Sequence, residues 1–489
     1  MAAQDRREAR RPGSRLLTDL QRLLMLGMLL GAWGWRLAGL TSQSLWRDEV
    51  DSLRFATRAL PQVLAAFTRP GENGPLFYLL LRPWLAAAGH SEFALRFPSA
   101  VMGALAIPII FLWGRSLFGR KTGVGGGLLA ALLLAVNPYH VWYSQEARMY
   151  ALVVVTVLLS LWFFNAGMEK GGWRRWALWY FFTSIGFYIH VLATLVLPLQ
   201  AFWMLALPNW RKRWLTALAA FALLILPYLP LVGWQWTLLT DIHFRTGHAF
   251  VPLSRMLYTL LTVQIQGILT AFRWFFALPI FLFAAAFLLP PFKRKTLTLL
   301  SGWWLLPPLT FFLVTLITPL FTDRYMIWTL PALALLLALG ALQVARQNRW
   351  LAGLLLLGLV GFQLHQGWRQ MTTPIKPDLR AAAAYVAPRR ASDELTIFLM
   401  PYIRYTYRYY DHGDYPWAEA PYANREPDAS LIPQRLAALT SGYRSVWLVE
   451  SEADFYDRNG LIHAWFDEHA DLVDEAHFTL ADAYRYVLH

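Results

Sequence analysis

"FALRFPSAVMGALAIPIIFLWGRSLFGRK", residues 93–121, is an apolar run that closes on a basic cluster. Crossing the hydrocarbon layer takes roughly 20 apolar residues, and cytoplasmic loops carry the surplus of Lys and Arg. The same pattern repeats in both directions. Apolar stretches run over Leu20 to Leu40, Phe93 to Leu117, Val124 to Val136, Met149 to Ala166, Ala177 to His190 and Val191 to Leu207. They continue over Leu215 to Val232, Phe272 to Leu289, Leu297 to Leu316, Met326 to Val344 and Leu351 to Leu364. With about eleven spans, six basic clusters fall on one side: the N-terminal tail, Arg115 to Lys121, Lys170 to Arg175, Arg211 to Arg213, Lys293 to Lys295 and Arg346 to Arg349. The pattern predicts a polytopic α-helical membrane protein of the cell (inner) membrane, with its N terminus cytoplasmic and its C-terminal part outside.

Composition agrees. The 489 residues are 57% hydrophobic and only 15% charged, against about a quarter charged in soluble domains. There is no cysteine, which removes disulfides, thiolate catalysis and Cys-ligated metals. The net charge of +14 does not mark nucleic-acid binding, because the basic residues sit in short clusters between apolar runs. From Pro374 onward the balance reverses, with 18 of the 30 acidic residues and 11 of the 44 basic ones. The basic start "RREARRPGSR" leads into an apolar stretch reaching Leu40, which reads as a first transmembrane helix rather than a cleaved signal.

Two domains follow: a membrane domain over 1–366 and a small soluble α/β domain over 367–489. In the first outer loop, Val50, Leu53, Thr57 and Leu60, and then "PLFYLLLRPWLAAAG", have the spacing of two interfacial helices. In the tail, "LTIFLM", "SVWLVE" and "YRYVLH" read as strands, and "LRAAAAYVA" and "LIPQRLAALTSG" as helices. "YIRYTYRYYDHGDYPW" reads as a loop suited to carbohydrate, to headgroups or to a plain interface.

Charged groups on the outer side stand out against this oily background. "SLWRDEVDSL" carries Asp48, Glu49 and Asp51 after the first span, where Asp48 can cap a helix or act as a base beside Trp46. "YSQEARMY" carries Gln145, Glu146 and Arg148, with Ser144 as the candidate cap. "FTDRYM" brings Asp323 and Arg324 to the same face, and a guanidinium there suits either its neighbour or a lipid phosphate. His190 ends a span, and Glu72 and Asn73 lie in a turn before Pro75, suited to a loop entry or to binding a substrate hydroxyl. No second histidine at metal spacing accompanies His190, so no metal site is assigned and no cofactor is required. Oxygen ligation of a divalent ion by Asp48 and Glu146 is the one metal arrangement open.

Together "LWRDEVDSL", "GPLFYLLLRPW", "ALRFPSAVMGALAIPIIFLWGRSLFG", "NPYHVWYSQEARMYAL", "YIHVLATLVLPLQ" and "DRYMIWTLPALALLLALG" resemble the bacterial branch of the dolichyl-phosphate-mannose protein mannosyltransferase family. This family lies within the GT-C superfamily, which also holds the lipid A aminoarabinose transferase. The resemblance implies a GT-C fold and a catalytic pair on Asp48 and Glu49, with Asp48 as base. It places a second acidic motif on Glu146 beside Gln145 and Arg148, an arginine–tyrosine pair on Arg324 and Tyr325, and a family histidine on His190. Where relatives often show a histidine and paired prolines, this chain has Asn73, Gly74 and a single Pro75. The implied activity is inverting transfer of a sugar from a polyprenyl-phosphate donor to a hydroxyl of a protein, glycan or lipid outside the membrane. The competing readings are a lipid or polysaccharide flippase and a non-catalytic relative in envelope assembly. Ionisable residues at helix ends rather than mid-span, and the lack of an internal repeat, favour transfer.

Overall fold

The computed structural model describes residues 18–68, 73–240, 248–270, 273–290, 294–424 and 428–489. Each of the eleven apolar stretches is occupied by helix. By length and composition five helices can cross a membrane: Glu92–Gly119, Tyr150–Lys170, Arg294–Thr315, Asp323–Gln347 and Arg349–Thr372. The number rises to seven if two bent pairs each form one span. These are Lys121–Val136 with Pro138–Ser144, bent by 61°, and Val191–Ala206 with Pro208–Leu223, bent by 111°. The chain is a multi-pass helical membrane protein. The remaining apolar helices are shorter or, like α1 (Asp19–Ala38) with Arg22 and Arg36, lowered in hydropathy by charge.

After α1 come the helices of the first loop, α2 (Arg47–Thr57), a short turn of helix at Leu60–Ala65, and α3 (Pro75–Ala88). The expected continuity from Val50 to Leu60 is broken between Thr57 and Leu60. Next, α4 (Glu92–Gly119) turns back into α5 (Lys121–Val136) at Gly119, whose φ of +79° is left-handed and open to glycine. The run "GVGGG" lets the two helices touch: a Cβ on Gly127 would stand 2.6 Å from the Phe111 carbonyl oxygen, and one on Gly123 2.4 Å from that of Arg115. Such small-residue contacts are how membrane helices approach closely. Asn137 and Pro138 then bend the chain into α6 (Pro138–Ser144), with the Asn137 side chain capping His140 N at 3.0 Å. The segment Asp323–Gln347 forms the centre, with 94% of its apolar window buried, against 28% for the peripheral α7 (Arg349–Thr372).

The C-terminal part is an α/β domain, and it begins after α7 ends at Thr372, beyond the expected boundary at 366. Its sheet has the order β2-β1-β3-β5-β4, built from β1 (Leu395–Phe398), β2 (Trp417–Glu419), β3 (Ser445–Glu450), β4 (Ala470–Phe478) and β5 (Ala481–Leu488). β1 runs parallel to β2 and β3, while β5 is antiparallel to β3 and β4. The three expected strands fall in β1, β3 and β5. The edge strands β2 and β4 are new: they are short or rich in exposed acidic residues, so they lack the apolar signature of the central strands. "YIRYTYRYYDHGDYPW" is not a loop throughout, since α8 (Ile403–Tyr410) occupies its first half.

Candidate functional site

Helix α2 positions the site. Its N-cap is Trp46 rather than Asp48, and the Glu49 carboxylate reaches back to accept from Trp46 N at 3.4 Å. Residues one apart on a helix point about 100° away from each other, so Asp48 and Glu49 face different surroundings. Glu49 is fully buried. Arg96 of α4 grips it with two bonds, Nε to Oε1 at 2.7 Å and Nη2 to Oε2 at 2.8 Å. The rest of that guanidinium donates to the carbonyls of Leu40, Gln43 and Ser44 at 2.8–3.0 Å. Ala147 N and Lys376 Nζ complete the Glu49 shell at 3.0 and 2.9 Å. Burial alone would raise this carboxyl, but the Arg96 and Lys376 charges outweigh it and hold Glu49 well below the usual carboxylate range.

Lys376 is the residue that the sequence did not announce. It lies on the segment leaving α7, where it reads as an ordinary polar boundary, yet its side chain is 7% exposed and its ammonium bridges Glu49 to Glu146 Oε1, 3.4 Å away. The Trp142 ring lies 5.1 Å from Nζ. Gln43 clasps this segment, accepting from Ile375 N at 3.0 Å and donating to Thr373 O at 2.7 Å. Glu146 is buried, and its Oε2 has no hydrogen-bond partner among the described residues. Burial pushes the Glu146 carboxyl up, Glu49 adds to the rise and Lys376 opposes it. Ser144, expected to cap the next helix, instead ends α6 and donates to the His140 carbonyl at 2.6 Å.

On the other side of α2, Asp48 Oδ2 lies 3.4 Å from Arg324 Nη2, with both side chains about one-fifth exposed (22% and 23%). Arg148 converges from below, donating to Asp48 O at 3.2 Å, Tyr78 OH at 3.2 Å and Ser52 Oγ at 3.4 Å. His190 is buried; its Nδ1 accepts from Leu192 N at 3.2 Å, and its ring lies 4.9 Å from that of Tyr325. Asp323 accepts from Tyr143 OH at 3.4 Å. Several buried polar atoms here have no partner among the described residues: Glu146 Oε2, Arg148 Nε, His190 Nε2, Arg324 Nε and Trp46 Nε1. Buried polar groups normally have a partner, so these atoms can form hydrogen bonds with a polar ligand.

The remaining candidates serve the scaffold. Gln145 donates to Arg36 O at 3.0 Å and is turned from the site. Asn73 accepts from Val191 N at 3.1 Å, which ties the first loop to the His190 segment. Glu72 lies outside the described residues. Among the described residues no group of three or more acidic or imidazole side chains is placed to hold a metal. Asp48 and Glu146, the pair open to a cation, instead face Arg324 and Lys376.

Residues 70–236 match the family model described as dolichyl-phosphate-mannose-protein mannosyltransferase. The fold matches ArnT from Cupriavidus metallidurans bound to undecaprenyl phosphate, with a TM-score of 0.59 and 14% identity, over 95% of this chain and 97% of that one. It also matches the Archaeoglobus fulgidus oligosaccharyltransferase in complex with Zn and sulfate, with a TM-score of 0.59 and 14% identity, over 94% of this chain and 72% of that one. The A. fulgidus oligosaccharyltransferase AglB in complex with an inhibitory peptide and a dolichol-phosphate matches at 0.57 and 14%, over 95% and 74%. No curated protein sequence matches. The chain shares the membrane fold of these structures and is similar, over residues 70–236, to the dolichyl-phosphate-mannose-protein mannosyltransferase family.

Proposed function

We propose that the chain is an inverting glycosyltransferase that moves a sugar from a polyprenyl-phosphate donor to an acceptor hydroxyl on the outer side of the membrane. The observation that carries this reading is the cluster of orphaned polar atoms on Arg324, Arg148, His190 and Glu146 beside the partly open Asp48 carboxylate. Asp48 takes the proton of the acceptor hydroxyl as its oxygen attacks the anomeric carbon. The bond from that carbon to the donor phosphate oxygen breaks, and the electron pair leaves on the lipid phosphate. Arg324 and Arg148 offset the charge developing there. Glu146 orients sugar or acceptor through Oε2, and His190 Nε2 offers a further hydrogen bond. Glu49 does not react: both of its oxygens are held by Arg96, Lys376 and Ala147, so it braces the loop that carries Glu146. Solved structures of the same fold bound to undecaprenyl phosphate and to a dolichol-phosphate support a polyprenyl lipid as donor.

The proposed topology keeps eleven crossings of the inner membrane with a cytoplasmic N terminus and an extracytoplasmic C-terminal domain, since with that count and orientation the six basic clusters share the cytoplasmic side. The function is tested in proteoliposomes with radiolabelled polyprenyl-phosphate sugars. Transfer of label to an acceptor or to water, lost in Asp48→Asn, is the expected result. Movement of intact lipid across the bilayer without release of sugar overturns the reading in favour of a flippase.

A further inference from the structure

A cleft of about 930 Å³ lies on the opposite flank of α2 from Asp48, between Val50, Leu53 and Arg54 of α2 and the α8 helix of the C-terminal domain. Its charge is unusual for this part of the chain. The C-terminal domain is acidic as a whole, yet the cleft gathers Arg54, Arg380, Arg404 and Arg408 with His90 and His412, against the single lining carboxylate of Glu92. Three of these arginines have carboxylate partners: Arg54 with Asp51 at 2.7 Å, Arg380 with Glu92 at 3.3 Å and Arg404 with Glu419 at 2.8 Å. Arg408 is exposed and forms no ion pair among the described residues.

Aromatic rings order these cations. The guanidinium carbon of Arg54 lies 3.2 Å from the centre of the Tyr405 ring, and that of Arg404 lies 4.4 Å from the same ring and 4.0 Å from the ring of Trp417. A guanidinium held by its flat face presents its N–H edge to a carboxylate or phosphate, and the Glu419 ion pair engages only Nη1 of Arg404. Arg404 covers one face of the Trp417 ring, which is 39% exposed, so a sugar ring can lie on its other face. Among the described residues of the wall, Val50 and Leu53 are the only aliphatic side chains, so an acyl chain has little to pack against.

We propose that this cleft is a second binding site that takes an anionic saccharide, its carboxylate or phosphate held by Arg404 and Arg408 and its ring stacked on Trp417. The saccharide half of this assignment rests on the transfer reading, whereas the anion half rests on the cleft itself. Because Asp48 points from the other side of α2, the cleft holds a part of the acceptor remote from the reacting hydroxyl, and binding energy won there can orient the hydroxyl.

The test is equilibrium binding to the full-length protein in detergent, with trigalacturonate, glucose 6-phosphate, neutral maltotriose and inorganic phosphate as probes. The expected result is binding of trigalacturonate or glucose 6-phosphate that weakens with salt, with maltotriose and inorganic phosphate far weaker. Arg404→Gln with Arg408→Gln lowers that affinity by roughly tenfold or more, as loss of charged hydrogen bonds should. Arg408→Gln alone, at an exposed position, gives a milder loss with an unchanged melting temperature. Asp48→Asn leaves this binding intact while abolishing transfer, so a failed transfer reading and a failed cleft are told apart. Equal binding of maltotriose, retained affinity in a folded double variant, or displacement of trigalacturonate by phosphatidylglycerol vesicles overturns the proposal, the last in favour of a lipid headgroup.

Discussion

On the Glu49 side of α2 a fully buried carboxylate is wrapped by a guanidinium, an ammonium and two backbone amides; on the Asp48 side a carboxylate 22% exposed meets one arginine across 3.4 Å. The two residues are adjacent in sequence and equal in charge, and helix geometry sends them to different work. Glu49 joins three distant segments, α2, α4 and the chain after α7, and supports the backbone beside Glu146. Asp48 stays partly open to solvent. A buried ion pair like that of Glu49 is costly to break because the partner charges remain, whereas a half-open one can be altered with little effect on folding.

The difference can be broken experimentally. Glu49→Ala removes the buried counter-charge of Arg96 and leaves Lys376 with Glu146 alone, and a loss of about 3–5 kcal/mol is expected, read as a collapse of the monodisperse peak and melting temperature in detergent. Asp48→Asn should leave both unchanged. Equal stability of the two variants would remove the distinction between brace and reacting group. Arg324→Ala should weaken binding of the polyprenyl phosphate by about 1.5–3 kcal/mol, with Arg324→Lys between it and wild type, as measured with a fluorescent lipid analogue.

Glu146 sharpens the comparison through pH. Its folded-state carboxyl is raised above the ordinary value of 4.5, so as pH falls the folded protein takes up this proton before the unfolded chain does. Over the window between the raised value and 4.5, stability should rise with acidity while transfer falls. Glu146→Gln should flatten both trends, and an unchanged acid limb of the rate profile would contradict the assignment. The smallest effect is expected at Gly74, with φ +85° and a would-be Cβ 2.6 Å from Met149 Cε. Gly74→Ala should cost about 1 kcal/mol in thermal stability.

Apolar length and alternating basic loops made the helical membrane domain legible in the sequence, and so did the central strands of the outer sheet, where "LTIF" and "SVWLVE" are buried on both faces. The charged motifs pointed to Asp48, Glu146, Arg148 and Arg324; the fold sets Arg324 and Arg148 against Asp48 and ties Glu146 to Glu49 through Lys376. What stayed hidden depends on long-range packing. Nothing local distinguishes Glu49 from Asp48 until Arg96 is placed beside it, and nothing in "PIKPD" marks Lys376 as a bridge between two carboxylates. Gln145 read like a site residue because it adjoins Glu146, yet the turn after α6 points it at the Arg36 carbonyl.

The account stands most directly on where the donor phosphate binds. A cryo-electron microscopy map of the Asp48→Asn protein with undecaprenyl phosphate should show the phosphate within hydrogen-bonding distance of Arg324 and Arg148, beside residue 48, with the orphaned guanidinium nitrogens now partnered. A phosphate bound elsewhere, with Arg324 and Arg148 still unpartnered at Nε, would contradict it.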